Sequence, residues 1–243
     1  MIKSKEAFIK RFRSLCASRS AWQAWSDFIY LAAIAISNAV DMQQDREERY
    51  LAIARQYKQN ELAEMQGLFD DLVNALDENQ DQDFLGDMFM RLELGNHYIG
   101  QFFTPYHLSE LLSKLAFADD AIAQINERGW ASINDCACGA GAMLIAARNA
   151  AKKAGIDWPN QILFVGQDVS EMTGLMCYIQ LSLLGCAGYV VIADTISSPV
   201  TGWRPYGNQG FWYTPAFALN PTWPIRLEAE KCLSWKTGSS TES

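Results

Sequence analysis

With 243 residues, 20 Lys+Arg against 28 Asp+Glu, a formal net charge of -8 and 49% hydrophobic residues, the chain has the composition of an ordinary globular protein of one or two domains. Its longest apolar stretch, Phe28 to Val40, contains Ser37 and Asn38 and falls short of the ~18 residues a membrane span needs. No charged start, apolar run and small-residue cleavage site follow one another, and six cysteines without CxxC spacing beside two histidines offer no zinc site, so a cytoplasmic protein with reduced thiols and no metal is expected.

Residues 1–20 hold six basic side chains and the single acid Glu6, which leaves the rest of the chain more acidic than the whole. Phe8, Ile9, Phe12 and Leu15 recur at helical spacing, and Lys3, Lys10, Arg11 and Arg13 suit either a phosphate contact or a solvated face. Trp22 to Val40 reads as a mostly buried helix starting near Ser20, and further helices are predicted over Asp45–Tyr57 and Glu61–Leu76. Asp70 to Glu93 carries eight carboxylates against Arg91 alone and reads as a solvated helix face and loop.

From Trp130 the texture alternates. Ala131–Asp135 predicts a strand, Cys138-Gly139-Ala140-Gly141 a turn, and the Ala-rich run to Ala154 a helix. Ile162–Gln167, Ser170–Leu184 and Tyr189–Ala193 predict strand, helix and strand, and two strand-helix units leading into a third strand argue for a parallel sheet. Beyond residue 198 lie five of the seven prolines and four of the eight tryptophans, an aromatic, turn-rich segment. There Trp203, Tyr206, Phe211, Trp212 and Tyr213 suit a base-stacking platform, a subunit interface or a flap over the core.

The glycine turn lets backbone approach a ligand and aims a helix N-terminus at it. Leu144 stands where a dinucleotide fingerprint has its third glycine, which disfavours a nicotinamide enzyme. Asp135, Asp168 and Asp194 close three successive strands, so they line the crevice where open sheets bind ligands. An acid at the second strand end suits a ribose diol and one at the third suits an adenine amino group, which favours a nucleoside site.

Taken in order, these segments resemble the adenine-specific N6 DNA methyltransferases, in particular the modification subunit of type I restriction-modification systems. Gly100-Gln101-Phe102-Phe103-Thr104-Pro105 looks like the family's GQ-aromatic-aromatic-TP segment, and Asp135 through Gly141 like its DPACGTG loop, with Cys136 replacing proline. Gly166-Gln167-Asp168 resembles the ribose-binding segment, and Leu183-Leu184-Gly185 with Ala193-Asp194-Thr195 the next helix and strand end. The resemblance covers roughly residues 80–197. It implies an α/β, Rossmann-like methyltransferase fold with a doubly wound, mainly parallel sheet, preceded by an all-helical N-terminal domain. The expected division is a helical domain over 1–95, a methyltransferase domain over 96–225 short of its last strands, and a tail over 226–243.

The resemblance also implies S-adenosylmethionine as cofactor, held by Phe103, Thr104, Pro105, Asp135, Gly139, Gly141, Asp168 and Asp194. The family's Asn/Asp-Pro-Pro-aromatic motif, which grips the adenine amine and stacks on the flipped base, has one candidate, Asn220-Pro221-Thr222-Trp223, with Asn220, Pro221 and Trp223 in the catalytic roles. The expected activity is methyl transfer to adenine N6 in DNA, the DNA being engaged with help from a specificity or other partner subunit or a second copy. The alternative is a non-catalytic cofactor-binding or assembly module that docks a partner through the aromatic C-terminal segment.

Overall fold

The computed structural model describes residues 3–94, 103–116, 118–202 and 210–238. The N-terminal region is helical. Helix α1 (Lys3–Leu15) turns Phe8, Phe12 and Leu15 inward, and α2 (Ala21–Asn38) begins where the Ser20 hydroxyl accepts the Gln23 amide at 3.2 Å. Because α2 is apolar around most of its circumference, it is buried on several sides, with Trp25, Phe28 and Ile29 almost wholly enclosed. Then follow α3 (Gln44–Ala54), α4 (Gln59–Glu78) and α5 (Phe84–Arg91), the last capped by the Asp83 carboxylate, which accepts the Gly86 amide at 2.9 Å.

The basic and acidic stretches meet across these helices. Arg11 pairs with Asp71 and Glu64 at 2.9 Å each, Lys5 with Asp87 at 2.8 Å and Arg19 with Glu61 at 2.9 Å. Arg11 is therefore engaged by carboxylates of α4, and within the acidic run Asp71 and Asp87 meet basic partners from α1, while Asp70, Asp77, Glu78, Asp81 and Glu93 are exposed, as a solvated face requires. Lys10 and Arg13 are exposed.

Helices α6 (Tyr106–Ala116) and α7 (Ala118–Arg128) lead into β1 (Ala131–Asp135). The chain continues through α8 (Ala142–Lys153), α9 (Trp158–Gln161), β2 (Ile162–Asp168), α10 (Glu171–Leu183) and β3 (Gly188–Ile192). It returns as β4 (Phe211–Tyr213) and ends in α11 (Pro215–Ala218) and α12 (Thr222–Gly238). The sheet order is β1-β2-β3-β4, with the first three strands parallel and β4 antiparallel to β3. This is the expected mixed α/β architecture with a helical N-terminal region and a small, mainly parallel sheet.

Pleating sends alternate residues to opposite faces. Ile162, Phe164, Val190 and Trp212 point into a core shared with α8, α10 and the N-terminal helices, so the first 94 residues and the sheet bury one continuous apolar interior. Leu163, Val165, Tyr189, Val191, Phe211 and Tyr213 face the other way, against Phe217, Trp223 and Leu227. Phe211, Trp212 and Tyr213 are thus buried strand residues and form no stacking platform, while Trp203 and Tyr206 lie outside the described residues. Helix α12 runs on beyond residue 225, and Leu227 packs against this second apolar cluster.

Candidate active site

Parallel pairing brings the carboxyl ends of three strands together: Asp135 lies opposite Gly166, and Asp168 opposite Ile192. At this edge the chain leaves β1 through the glycine turn. The Cys138 amide bonds the Gln167 carbonyl at 3.0 Å, the Gly141 amide bonds the Cys138 carbonyl at 2.7 Å, and the Gly141 carbonyl accepts the Ile145 amide at 2.9 Å to open α8. Gly139 and Gly141 sit at φ 53° and 97°, the left-handed region where glycine is favoured. A Cβ on Gly141 would also lie 2.9 Å from the Cys177 sulfur, so glycine is required there twice over.

Asp168 organises the turn. One carboxylate oxygen accepts the Gly139 amide at 2.9 Å, and the other accepts the Ser170 amide at 2.8 Å and the Thr173 hydroxyl at 3.0 Å. A carboxylate has about four lone-pair sites, so the oxygen facing Gly139 keeps acceptor capacity for a ligand hydroxyl. Asp135 is half-buried and accepts the Ala137 amide at 3.1 Å; burial, aided by neighbouring Asp168, raises its pKa. Asp194 is exposed and accepts the Ile196 amide at 2.9 Å, which holds its pKa below the ordinary value.

Phe103 lies over the turn: a Cβ on Gly139 would stand 3.3 Å from its ring, and the ring packs edge-on against Phe89 with centroids 5.2 Å apart. Thr104 and Pro105 are exposed beside it at the start of α6, whereas Gly100, Gln101 and Phe102 lie outside the described residues. The structure therefore brings Phe103, Asp135, Gly139, Gly141, Asp168 and Asp194 to one end of the sheet.

Val169 and Ile196, not foreseen from the sequence, and Gln167, named there only within the Gly166-Gln167-Asp168 segment, complete this edge. Val169 and Ile196 are 72% and 94% exposed, directly after Asp168 and two positions after Asp194, and present apolar surface where a planar base can lie. Gln167 is buried and donates to the Ala193 and Ser198 carbonyls at 3.2 and 2.8 Å while accepting the Val200 amide at 2.9 Å, which fixes the segment after β3. That segment is also tied to the glycine turn by the Thr195 hydroxyl, which donates to the Cys136 carbonyl. Exposed apolar side chains next to strand-end acids are the signal that finds Val169 and Ile196; the role of Gln167 has no local signature. A cavity of about 290 Å³ adjoins the turn, lined by Leu112, Ser113, Ile133, Asp135, Met143 and Leu144 among others.

The expected catalytic segment does not join this group. Because β4 runs antiparallel to β3, the residues after it emerge at the amino-terminal edge of the sheet. There the Asn220 amide group donates to Asn160 of α9 at 3.3 Å, just before β2 begins. Pro221 is exposed at the same end. Trp223 is wholly buried, its ring edge-on to Trp130 at 5.8 Å, and offers no face to a base. At about 3.3 Å per residue, the seven residues of β2 separate Asn160 from Asp168 by roughly 20 Å. The structure therefore does not bring Asn220, Pro221 and Trp223 to the edge that carries Asp168.

Among the described residues no helix is long and apolar enough to cross a membrane, and no group of three metal-ligating side chains converges. No curated protein matches the chain. Among solved structures, the methyltransferase subunit of the type I restriction-modification system from Streptococcus thermophilus is similar at 13% identity and a TM-score of 0.45, over 83% of this chain and 60% of that one. The chain thus spans less than two thirds of that subunit. The family model described as N-6 DNA Methylase matches residues 80–218, more than half of the chain, and the chain belongs to that family.

Proposed function

We propose that the chain binds S-adenosylmethionine at the carboxyl-terminal edge of its sheet and serves the methylation of adenine N6 in DNA. The observation that carries this reading is the glycine turn held in left-handed geometry by Asp168, with Asp194 on the neighbouring strand end. The donor set suits the cofactor: glycine backbone for close approach, spare acceptor capacity on Asp168 for a ribose hydroxyl, Asp194 for an adenine amine, and Val169 and Ile196 as apolar walls for the base. Phe103 borders the same turn with Thr104 and Pro105 next in the chain, and Asp135 closes β1 at the same edge. When bound, the cofactor supplies a methyl group on a sulfonium centre.

Methyl transfer also needs acceptors that hold the adenine amine in line with that methyl. Asn220 lies at the opposite edge, so the groups that grip the base come from another segment or from a partner subunit. A net charge of -8 points the same way, because contact with DNA phosphates then depends on locally clustered or borrowed positive charge.

The position of Asn220 favours a second reading, a non-catalytic cofactor-binding or assembly module. Transfer of labelled methyl to adenine-containing DNA separates the two. Transfer that survives Asn220→Ala supports the enzyme reading with its acceptor groups elsewhere. Cofactor binding without transfer supports the module, and absence of both sinks the proposal.

A further inference from the structure

Gln180 lies in the last turn of α10, wholly buried, and its amide ties that helix to two other pieces of the chain, the glycine turn and the start of α5. Its nitrogen donates to the Ala140 carbonyl in the glycine turn at 2.8 Å and to the Asp83 carboxylate at 2.8 Å. Its oxygen accepts the Leu85 amide at 3.1 Å. The orientation is forced: a flipped amide would set oxygen against two acceptors and leave two donors facing each other. Asp83, itself 5% exposed, caps α5 through the Gly86 amide at 2.9 Å. The Ala140–Gly141 peptide is thereby gripped at both ends, its carbonyl by Gln180 and its amide by the Cys138 carbonyl at 2.7 Å.

A peptide held this way cannot rotate, and it is the one that sets the direction of the first turn of α8. Packing alone asks for an apolar residue at position 180, since its neighbours Ile179 and Leu181 are fully buried. A buried amide with all three partners engaged is a costly way to fill that space unless the partners need holding.

We propose that Gln180, anchored by Asp83, is a positioning residue for the ligand-binding glycine turn, and that it couples ligand affinity at the turn to the seating of α5 in the helical region. The proposal rests on the cofactor reading above for the identity of the ligand, S-adenosylmethionine.

The test uses the full chain as wild type, Asp83→Ser, Gln180→Met and the double variant Asp83→Ser/Gln180→Met. Each is subjected to calorimetric titration with S-adenosylmethionine, thermal melting, and hydrogen exchange of the Gly139 and Gly141 amides. Gln180→Met strands a buried carboxylate and leaves Ala140 without a donor, so both melting temperature and affinity fall, the affinity by about tenfold, within the range of coupled sites. Adding Asp83→Ser removes the stranded charge and keeps a capping hydroxyl for α5, so the melting temperature recovers. A positioning role requires that the affinity loss persist in the double variant while Asp83→Ser alone stays closer to wild type. Affinity that returns together with stability, or that never falls in Gln180→Met, overturns the proposal. If wild type binds no S-adenosylmethionine, the cofactor reading fails and the exchange data decide: faster exchange at Gly139 and Gly141 in the double variant than in Asp83→Ser, with β2 amides unchanged, upholds the positioning role, and equal exchange removes it.

Discussion

A methyl group at position 141 would meet the Cys177 sulfur at 2.9 Å on a backbone already at φ 97°. Left-handed geometry costs an L-residue about 1–2 kcal/mol, and overpacking typically adds about 1–3 kcal/mol. Gly141→Ala is therefore expected to lower stability by at least about 2 kcal/mol in urea denaturation, with cofactor affinity falling alongside. Asp135 gives a residue-scale test with a defined pH sign. Folding raises its pKa, chiefly through burial, so the folded chain holds that proton more tightly than the unfolded one. Its stabilising contribution is present below the unfolded-state pKa of about 4 and is lost as pH rises through the folded value. Asp135→Asn keeps an acceptor for the Ala137 amide and removes the buried charge. Melting curves should place it above wild type at neutral pH, with the difference closing as pH falls toward about 4; a constant difference would show that burial of this carboxylate is not what perturbs it.

Among the elements, β4 and the helices α11 and α12 beyond it decide the reading of the site. The Thr214 hydroxyl accepts the Gly188 amide at 3.0 Å, donates to the Cys186 carbonyl at 2.7 Å and caps α11. Thr214→Val, similar in shape, should cost roughly 1–3 kcal/mol by leaving those groups unpaired, as measured by urea titration. β1, β2 and β3 were legible because each is a short run that leads into an acid beside a turn, β2 and β3 being apolar as well. β4 was not, since three aromatic residues within a Pro-rich stretch carry no alternation that separates a strand from a loop. Its direction was less legible still, and on that direction hangs the fate of Asn220. An Asn-Pro-x-aromatic string suits the chemistry in composition, but only the antiparallel return shows that it lands beside Asn160. Glycine turns and strand-end acids are local signals, so Gly139, Gly141 and Asp168 could be read directly. Gln180 could not, because a glutamine in an apolar helix acquires meaning only from Asp83 and Ala140, 97 and 40 positions away.

At the scale of the whole molecule, the N-terminal helices and the sheet act as one body. Their shared core is reinforced by the Arg46 guanidinium, which donates to the Phe211 carbonyl at 2.7 Å and stacks 3.7 Å over Trp212. Tyr30 and Arg49 add bonds to Glu171 at the start of α10, at 2.8 and 2.7 Å. A single cooperative transition by scanning calorimetry is expected, and two separated transitions would show that the helical region folds independently. The central claim concerns the edge at which the ligand sits, and calorimetric titration with S-adenosylmethionine tests it most directly across wild type, Asp168→Ala and Asn220→Ala. The predicted result is binding by wild type, an unchanged affinity for Asn220→Ala and at least an about tenfold loss for Asp168→Ala, equivalent to roughly 1.4 kcal/mol. No binding by wild type, or a loss confined to Asn220→Ala, would contradict it.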